Sequence, residues 1–278
     1  MARKKTKSVI PGFGISFGVS VSILSLIVII PLCSLVIYSS QLTLEQFFEI
    51  ITRPRVLASY KVSLATSFIA SVINAVMGLV MAWVLVRYEF PGKRILDGMI
   101  ELPFALPTAV AGISLAHLTV PNGPVGAVFS GLGIDIAYTW VGITVAMTFI
   151  GIPFVVRSIQ PVLENVEGEY EEAAYLMGAG RLQTFFRVVL PEIRPALIAG
   201  FTMAFARCLG EYGSVVFIAG NKPYETEIAP LMIMSELQEF DYPAATSVAL
   251  TMLLMAFVIL FVNAVLQSRA SAIVSGIR

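Results

Sequence analysis

The sequence predicts an all-α polytopic membrane protein with six transmembrane helices and both termini in the cytoplasm. Three observations carry that prediction. Of 278 residues, 57% are hydrophobic and only 13% are charged, against about 25% charged in a soluble domain. Six stretches approach the roughly 20 apolar residues that cross a bilayer as helix: 15–38, 62–86, 98–120, 136–156, 196–219 and 244–266. Lys and Arg are lopsided: with the N-terminus inside, thirteen of the eighteen fall on inside segments, four outside, and Arg207 within a span, the bias that sets orientation. The formal net charge is zero, so there is no electrostatic basis for binding nucleic acid.

The N-terminal tip carries Arg3, Lys4, Lys5 and Lys7 before a long apolar run. No small-residue cleavage site follows, so the run is expected to be an uncleaved span that fixes orientation. Residues 11–14, Pro-Gly-Phe-Gly, are expected to form a hinge between tip and span. Residues 1–61 are expected to be an appendage, 62–267 a five-helix core, and 268–278 a cytoplasmic tail. The basic turn 87–94 is expected to anchor orientation. The third span begins with Pro103 and Pro107 four apart. These remove helical hydrogen bonds, which fits either a plain kink or a segment lining a passage. His117 is expected to be structural. Cys33 and Cys208 sit in apolar runs as packing residues, and one histidine with two distant cysteines makes no familiar zinc site.

Between the fourth and fifth spans lies a segment that interrupts the apolar pattern yet keeps its own. Leu163, Val166, Tyr170, Ala173, Ala174 and Met177 recur at helical spacing, with Glu164, Glu167 and Glu171 off the stripe. Gly178 and Gly180 permit a sharp turn. Leu182, Phe185, Phe186 and Val189 then share a face, and Pro191 closes that piece and opens the next helix. The pattern predicts a helix–turn–helix whose apolar face, on a short cytosolic loop, needs a cover.

The spacing Glu172-Ala173-Ala174, three residues, Gly178, nine residues, Val188, one residue, Leu190-Pro191 resembles the EAA loop of ABC-importer membrane subunits, which usually has Ile where Val188 stands. The resemblance implies a MetI-like type I importer permease fold, with residues 162–195 as a loop docking into a groove on a separate ATPase. No G-x-x-x-x-G-K-[ST] is present, so no catalytic residue or cofactor is expected here. ATP would be bound and hydrolysed by partner subunits.

In the fifth span Arg207 and Glu211 are four apart, on one helix face. Each ionisable group at mid-span costs about 2.5–3.5 kcal/mol on insertion scales. The two can be a salt bridge that pins the helix, or Arg207 can also face a pore and meet an anion. Residues 209–214 (Leu-Gly-Glu-Tyr-Gly-Ser), 218–221 and 102–112 resemble the oxyanion-importer branch. Residues 227–231 and 241–245 are similar to sulfate/thiosulfate permeases of the T type, with molybdate permeases a near relative. The resemblance implies a multi-pass plasma-membrane (inner-membrane) subunit. Its implied partners are two ATP-binding subunits, a second, W-type permease subunit forming a heterodimeric pore, and an external sulfate-binding protein. By residue type alone, Thr108, Ser114, Ser214 and Asn74 join Arg207 and Glu211 as candidate pore or gate residues. The external loop 221–243 carries Glu225, Glu227, Glu236, Glu239 and Asp241 with only Lys222. An acidic lip would repel free sulfate and suits delivery by a docked protein, although a solvated loop has the same composition. A secondary transporter acting alone would show paired half-helices and several buried carboxylates. Glu211 is the main buried carboxylate candidate, and no internal repeat is visible.

Overall fold

The computed structural model describes the backbone of residues 13–166 and 168–275, with side chains through Val265. The basic tip, the first half of the expected hinge, and Glu167 lie outside the described residues. Every regular element described is helical.

Helix α1, Phe13–Ser39, is a 27-residue apolar rod with one buried residue, Ser39. It contains a single π-turn, Ser25–Ile29, closed by the Ile30 N–H donating to Ser25 O. Pro31 follows directly; it offers no N–H, and its ring crowds the carbonyl four residues back, which favours widening the turn before it. The second half of α1 rests on the last helix. Helix α2, Leu44–Ile51, opens on a capping box in which Thr43 and Gln46 exchange bonds of 3.2 and 3.0 Å. Helix α3, Pro54–Arg87, has Pro at its first position and 34 residues, about 50 Å. It begins eight residues before the predicted span at 62. Its buried residues include a run of small or polar ones, Ser59, Ser63, Ser67, Ser71, Asn74 and Gly78, beside apolar Val56, Tyr60, Ala70, Ala82 and Leu85.

The third predicted span is not one helix. It divides into α4 (Lys93–Ile100), α5 (Leu102–Ala105) and α6 (Thr108–Thr119). Leu106 is extended, ψ 136°, because the ring of Pro107 disfavours helical angles at the residue before it. At twelve residues α6 spans only about 18 Å. A short α7, Gly126–Ser130, precedes α8, Trp140–Glu164. Next come α9 (Gly168–Leu176) and α10, a continuous stretch from Arg181 to Leu209 with a π-turn at Phe185–Val189. The predicted short helix ending at Pro191 is therefore corrected: Pro191 lies inside α10, and the π-turn stands before it as its counterpart stands before Pro31. The fifth span is also shifted, since the helix ends at Leu209 and Val215–Ile218 forms a separate turn, α11. Finally α12 (Ala229–Gln238) is too short to cross, and α13 (Tyr242–Ser275) runs past the expected boundary at 267. Against six expected spans, five helices among the described residues (α1, α3, α8, α10 and α13) are long and apolar enough to cross a membrane; the broken α4–α6 stands where the sixth was expected.

The core is the three-helix pack of α3, α8 and α10. Glycines set its closeness: a methyl group on Gly78 would fall 2.8 Å from Val155 Cβ, and one on Gly200 2.9 Å from Val155 Cα. Small residues of this kind let backbones approach where no hydrophobic force joins helices. The bundle has two distinct ends. At one, Arg87 pairs with Glu171 and Arg157 with Asp97 and Glu101. At the other, Arg55 pairs with Glu227, and Tyr138 N–H donates to Ile218 O at 2.8 Å.

Candidate functional site

At the first end, α9 and the start of α10 form a hairpin. Its turn is a Schellman motif: Ala179 N–H donates to Ala174 O at 3.0 Å and Gly178 N–H to Tyr175 O at 2.9 Å. Gly178 stands at φ +84° with open space around it, so the backbone angle, not crowding, requires glycine there. Gly180 is extended and makes no such demand.

The apolar stripe expected across this segment divides. Leu163, Val166 and Ala174 are buried, but Tyr170, Ala173 and Met177 are exposed, because one helix ends at Glu164 and the next, from Gly168, turns another face inward. Of the second set, Val189 is buried, Phe185 half-buried, and Leu182 and Phe186 exposed. Of the motif residues, Ala174 points in, Val188 and Leu190 are half-buried, and Glu172, Ala173, Gly178 and Pro191 are exposed. The tip is the most open apolar surface of the hairpin, with Leu176 90% and Met177 82% exposed. An apolar tip flanked by the free carboxylates Glu169 and Glu172 has the character of an interaction site. Behind it, a cavity of about 790 Å³ opens between α3 and the hairpin, lined by Val76, Val80, Trp83, Tyr175, Arg181 and Phe185 among others.

Far along α10, the chain leaves the helix at Leu209 and turns through Glu211–Ser214. Glu211 is 2% exposed and fully engaged. Its Oε1 accepts from Ser214 N–H (2.9 Å) and Ser214 Oγ (3.0 Å), and its Oε2 forms an ion pair with Arg207 Nη1 at 2.5 Å. Arg207 keeps 36% of its side chain open. The small-residue face of α6 packs on this turn: Gly112 leaves room for the Ser214 backbone, and Thr108 lies against Gly213. So Arg207, Glu211, Ser214 and Thr108 come together. Ser114 is on the exposed side of α6, as are Val110, Ile113 and His117. Asn74 is elsewhere, wholly buried in the α3–α8–α10 pack beside Gly151 and Cys208, with neither amide atom hydrogen-bonded.

Three ionic links escape sequence reasoning. Arg55 binds Glu227 bidentately (2.8 and 2.7 Å), with Glu227 1% exposed; this removes one carboxylate from the expected acidic lip. Arg157 donates to Asp97, Glu101 and Gln160 at 2.6–2.7 Å. Arg87 donates to Glu171 at 2.5 Å. The signal available was the basic residue at each span end, which alone indicates orientation. Glu236, on α12, is also buried and has no ion pair among the described residues. Burial pushes its carboxyl above the usual range, Asp241 adds to this, and Arg53 opposes it.

Residues 74–274 match the family of binding-protein-dependent transport system inner membrane components. The chain is 51% identical over 269 residues to the sulfate transport system permease protein CysT of Salmonella typhimurium, covering 97% of each. It is 51% identical over 264 residues to that of Escherichia coli (95% of each) and 45% over 253 residues to that of Synechocystis (91% and 88%). Among solved structures, a bacterial ABC transporter involved in import of the acidic polysaccharide alginate superposes with TM-score 0.75 at 16% identity, over 92% of this chain and 96% of that one. The MetNI methionine ABC transporter, in an inward-facing conformation, gives TM-score 0.61 at 17% identity, over 77% and 95%.

Proposed function

This chain belongs to the binding-protein-dependent transport inner membrane components, and within them to the CysT-type permeases, and from that premise we propose that it carries sulfate or thiosulfate across the inner membrane as one permease subunit of an ATP-driven importer. Both termini then face the cytoplasm, as the Lys and Arg distribution favours. The hairpin faces the cytoplasm with them, where its open tip docks on one of two ATP-binding subunits. A second, W-type permease completes the pore, and an external sulfate-binding protein delivers the anion at the opposite end. A related transporter has been captured with its substrate-bound periplasmic protein.

The carrying observation is the hairpin itself. Its apolar tip is exposed, its turn is fixed by Gly178 at a positive φ, and the chain is 51% identical to sulfate permeases over almost its whole length. A hydrated dianion needs donors where it crosses. Arg207 retains donors beyond the one used by Glu211, and Thr108 and Ser114 lie on the adjoining α6. Glu211, which already accepts two hydrogen bonds and pairs with Arg207, holds Arg207 rather than meeting the anion. ATP hydrolysis is assigned to the partner subunits as part of this reading, and the sequence carries no G-x-x-x-x-G-K-[ST].

The test is reconstitution of the full transporter in vesicles with labelled sulfate. Glu172→Lys is expected to leave the chain in the membrane and to abolish sulfate-stimulated ATP hydrolysis. Full stimulation by that variant would overturn the docking role, and uptake of molybdate in preference to sulfate would overturn the substrate.

A further inference from the structure

The last turn of α3 holds both arms of the hairpin. Arg87 Nη2 meets Glu171 Oε1 of α9 at 2.5 Å. One turn earlier, Trp83 packs edge-on against Phe185 of α10, with ring centroids 5.3 Å apart at 81°. Trp83 and Arg87 are i,i+4 neighbours on one helix face, and the Arg87 guanidinium carbon lies 5.6 Å from the Trp83 ring centroid. The pair is partly enclosed, at 25% and 18% exposure, and Arg87 Nε is buried with no hydrogen-bond partner. A guanidinium in that setting depends on its carboxylate. Glu171 is one turn from Ala174, the one residue of α9 that is buried. Its neighbours Glu169, Glu172 and Leu176 face outward, and Tyr175 borders the cavity against α3. The Glu171–Arg87 bond is thus an ionic tie between α3 and a helix that buries only Ala174.

The opposite end of α3 is clamped in the same way, by Arg55 to the buried Glu227 of the far loop. Between the two clamps, α3 is unbroken for 34 residues and packs closely on α8. It is a strut tied to the hairpin at one end and to the far lip at the other.

We infer that Arg87 is a positioning residue for transport: it fixes the coupling hairpin to α3, so that hairpin movement reaches α3 as well as α10. The inference rests on the function proposed above. Arg87 touches neither nucleotide nor anion; it acts through Glu171.

The experiment compares Arg87→Gln, Glu171→Gln, their double variant, Arg87→Lys and the charge swap Arg87→Glu/Glu171→Arg in the assembled transporter. Each single Gln variant is expected to assemble normally and to lower sulfate-stimulated ATP hydrolysis about 10-fold, within the range of coupling between sites. The double variant should be no worse than either single one, as for two partners in one bond. The swap should restore stimulation. Arg87→Lys should recover part of it, since a lysine keeps the charge but not the planar fork. A second readout needs no activity. Spin labels on Glu89→Cys and Glu169→Cys of the chain alone should show a narrow distance distribution that broadens in Arg87→Gln and narrows again in the swap. Multiplicative losses in the double variant, or an unchanged distance distribution in Arg87→Gln, would overturn the assignment. If the parent chain fails to assemble with an ATPase, the functional reading falls, and the label distances still decide the role of Arg87.

Discussion

The two ends of α10 solve opposite problems. At the hairpin end, Arg181, Leu182 and Phe186 are exposed, and a single residue of the preceding α9 is buried. At the other end, Glu211 is sealed at 2% exposure with two hydrogen bonds from Ser214, and Arg207 is held beside it by an ion pair. One end leaves apolar side chains uncovered among the described residues; the other is closed on itself. The contrast extends past α10, because the far end buries three carboxylates: Glu211, Glu227 and Glu236. Two of them have a guanidinium, from Arg207 and Arg55, and the third has none among the described residues. Substitutions at the far end should therefore be read in stability, and substitutions at the hairpin in coupling.

The strongest way to break that division is Glu211→Ala. It removes the acceptor of Ser214 N–H and Oγ and leaves Arg207 charged with no partner. Loss of one member of a buried pair costs about 3–5 kcal/mol, so the chain should unfold on detergent extraction, as measured by thermal scanning and by yield. Arg207→Ala should cost less, about 1–2 kcal/mol, because the Glu211 carboxylate it leaves behind keeps both Ser214 bonds. Uptake should nevertheless fail. Equal stability of the two variants would show that the arginine, too, is purely structural.

Gly178→Ala makes the complementary test at the hairpin. Nothing crowds the new methyl group, yet the φ of +84° strains it, by about 1–2 kcal/mol. Since α9 contributes so little to the core, the global unfolding temperature should barely move. Faster amide exchange in residues 168–180 and a loss of stimulated ATP hydrolysis are expected. A drop in global stability like that of Glu211→Ala would dissolve the distinction between the ends.

What the sequence disclosed follows from the range of the interactions. The Gly178 turn and the Arg207–Glu211 pair lie within one or two helical turns, so spacing reveals them. Pro103 and Pro107 announced a disturbance in the third span, and the extended angle at Leu106 turns it into a break. The π-turns before Pro31 and Pro191 were missed because periodicity tolerates one extra residue per turn. Arg87–Glu171, Arg157–Asp97 and Arg55–Glu227 join residues 84, 60 and 172 apart. No local pattern distinguishes an arginine that anchors orientation from one that clamps two helices. Asn74, named as a pore candidate for its residue type, is buried in the helix pack of this chain, a placement that residue type does not reveal.

The smallest expected effect concerns Glu236, the buried carboxylate of the far end that lacks an ion pair. Its pKa is raised by burial first and then by Asp241, with Arg53 opposing and Glu239 adding. The sign follows from proton binding: the folded state holds this proton to higher pH than the unfolded state, whose carboxyl titrates near ~4.3. As pH rises from there, the folded state loses stability relative to the unfolded one, until it passes the raised pKa of Glu236 and the loss levels off. Glu236→Gln removes that loss. The variant should equal the parent below about pH 4 and be the more stable of the two at neutral pH, as seen in thermal scans across pH. Glu227→Gln should do the reverse at neutral pH, because there the carboxylate is matched by Arg55 and the charge is needed. If both substitutions shifted stability in the same direction, pairing would not be what separates tolerated from costly buried charge at this end of the bundle.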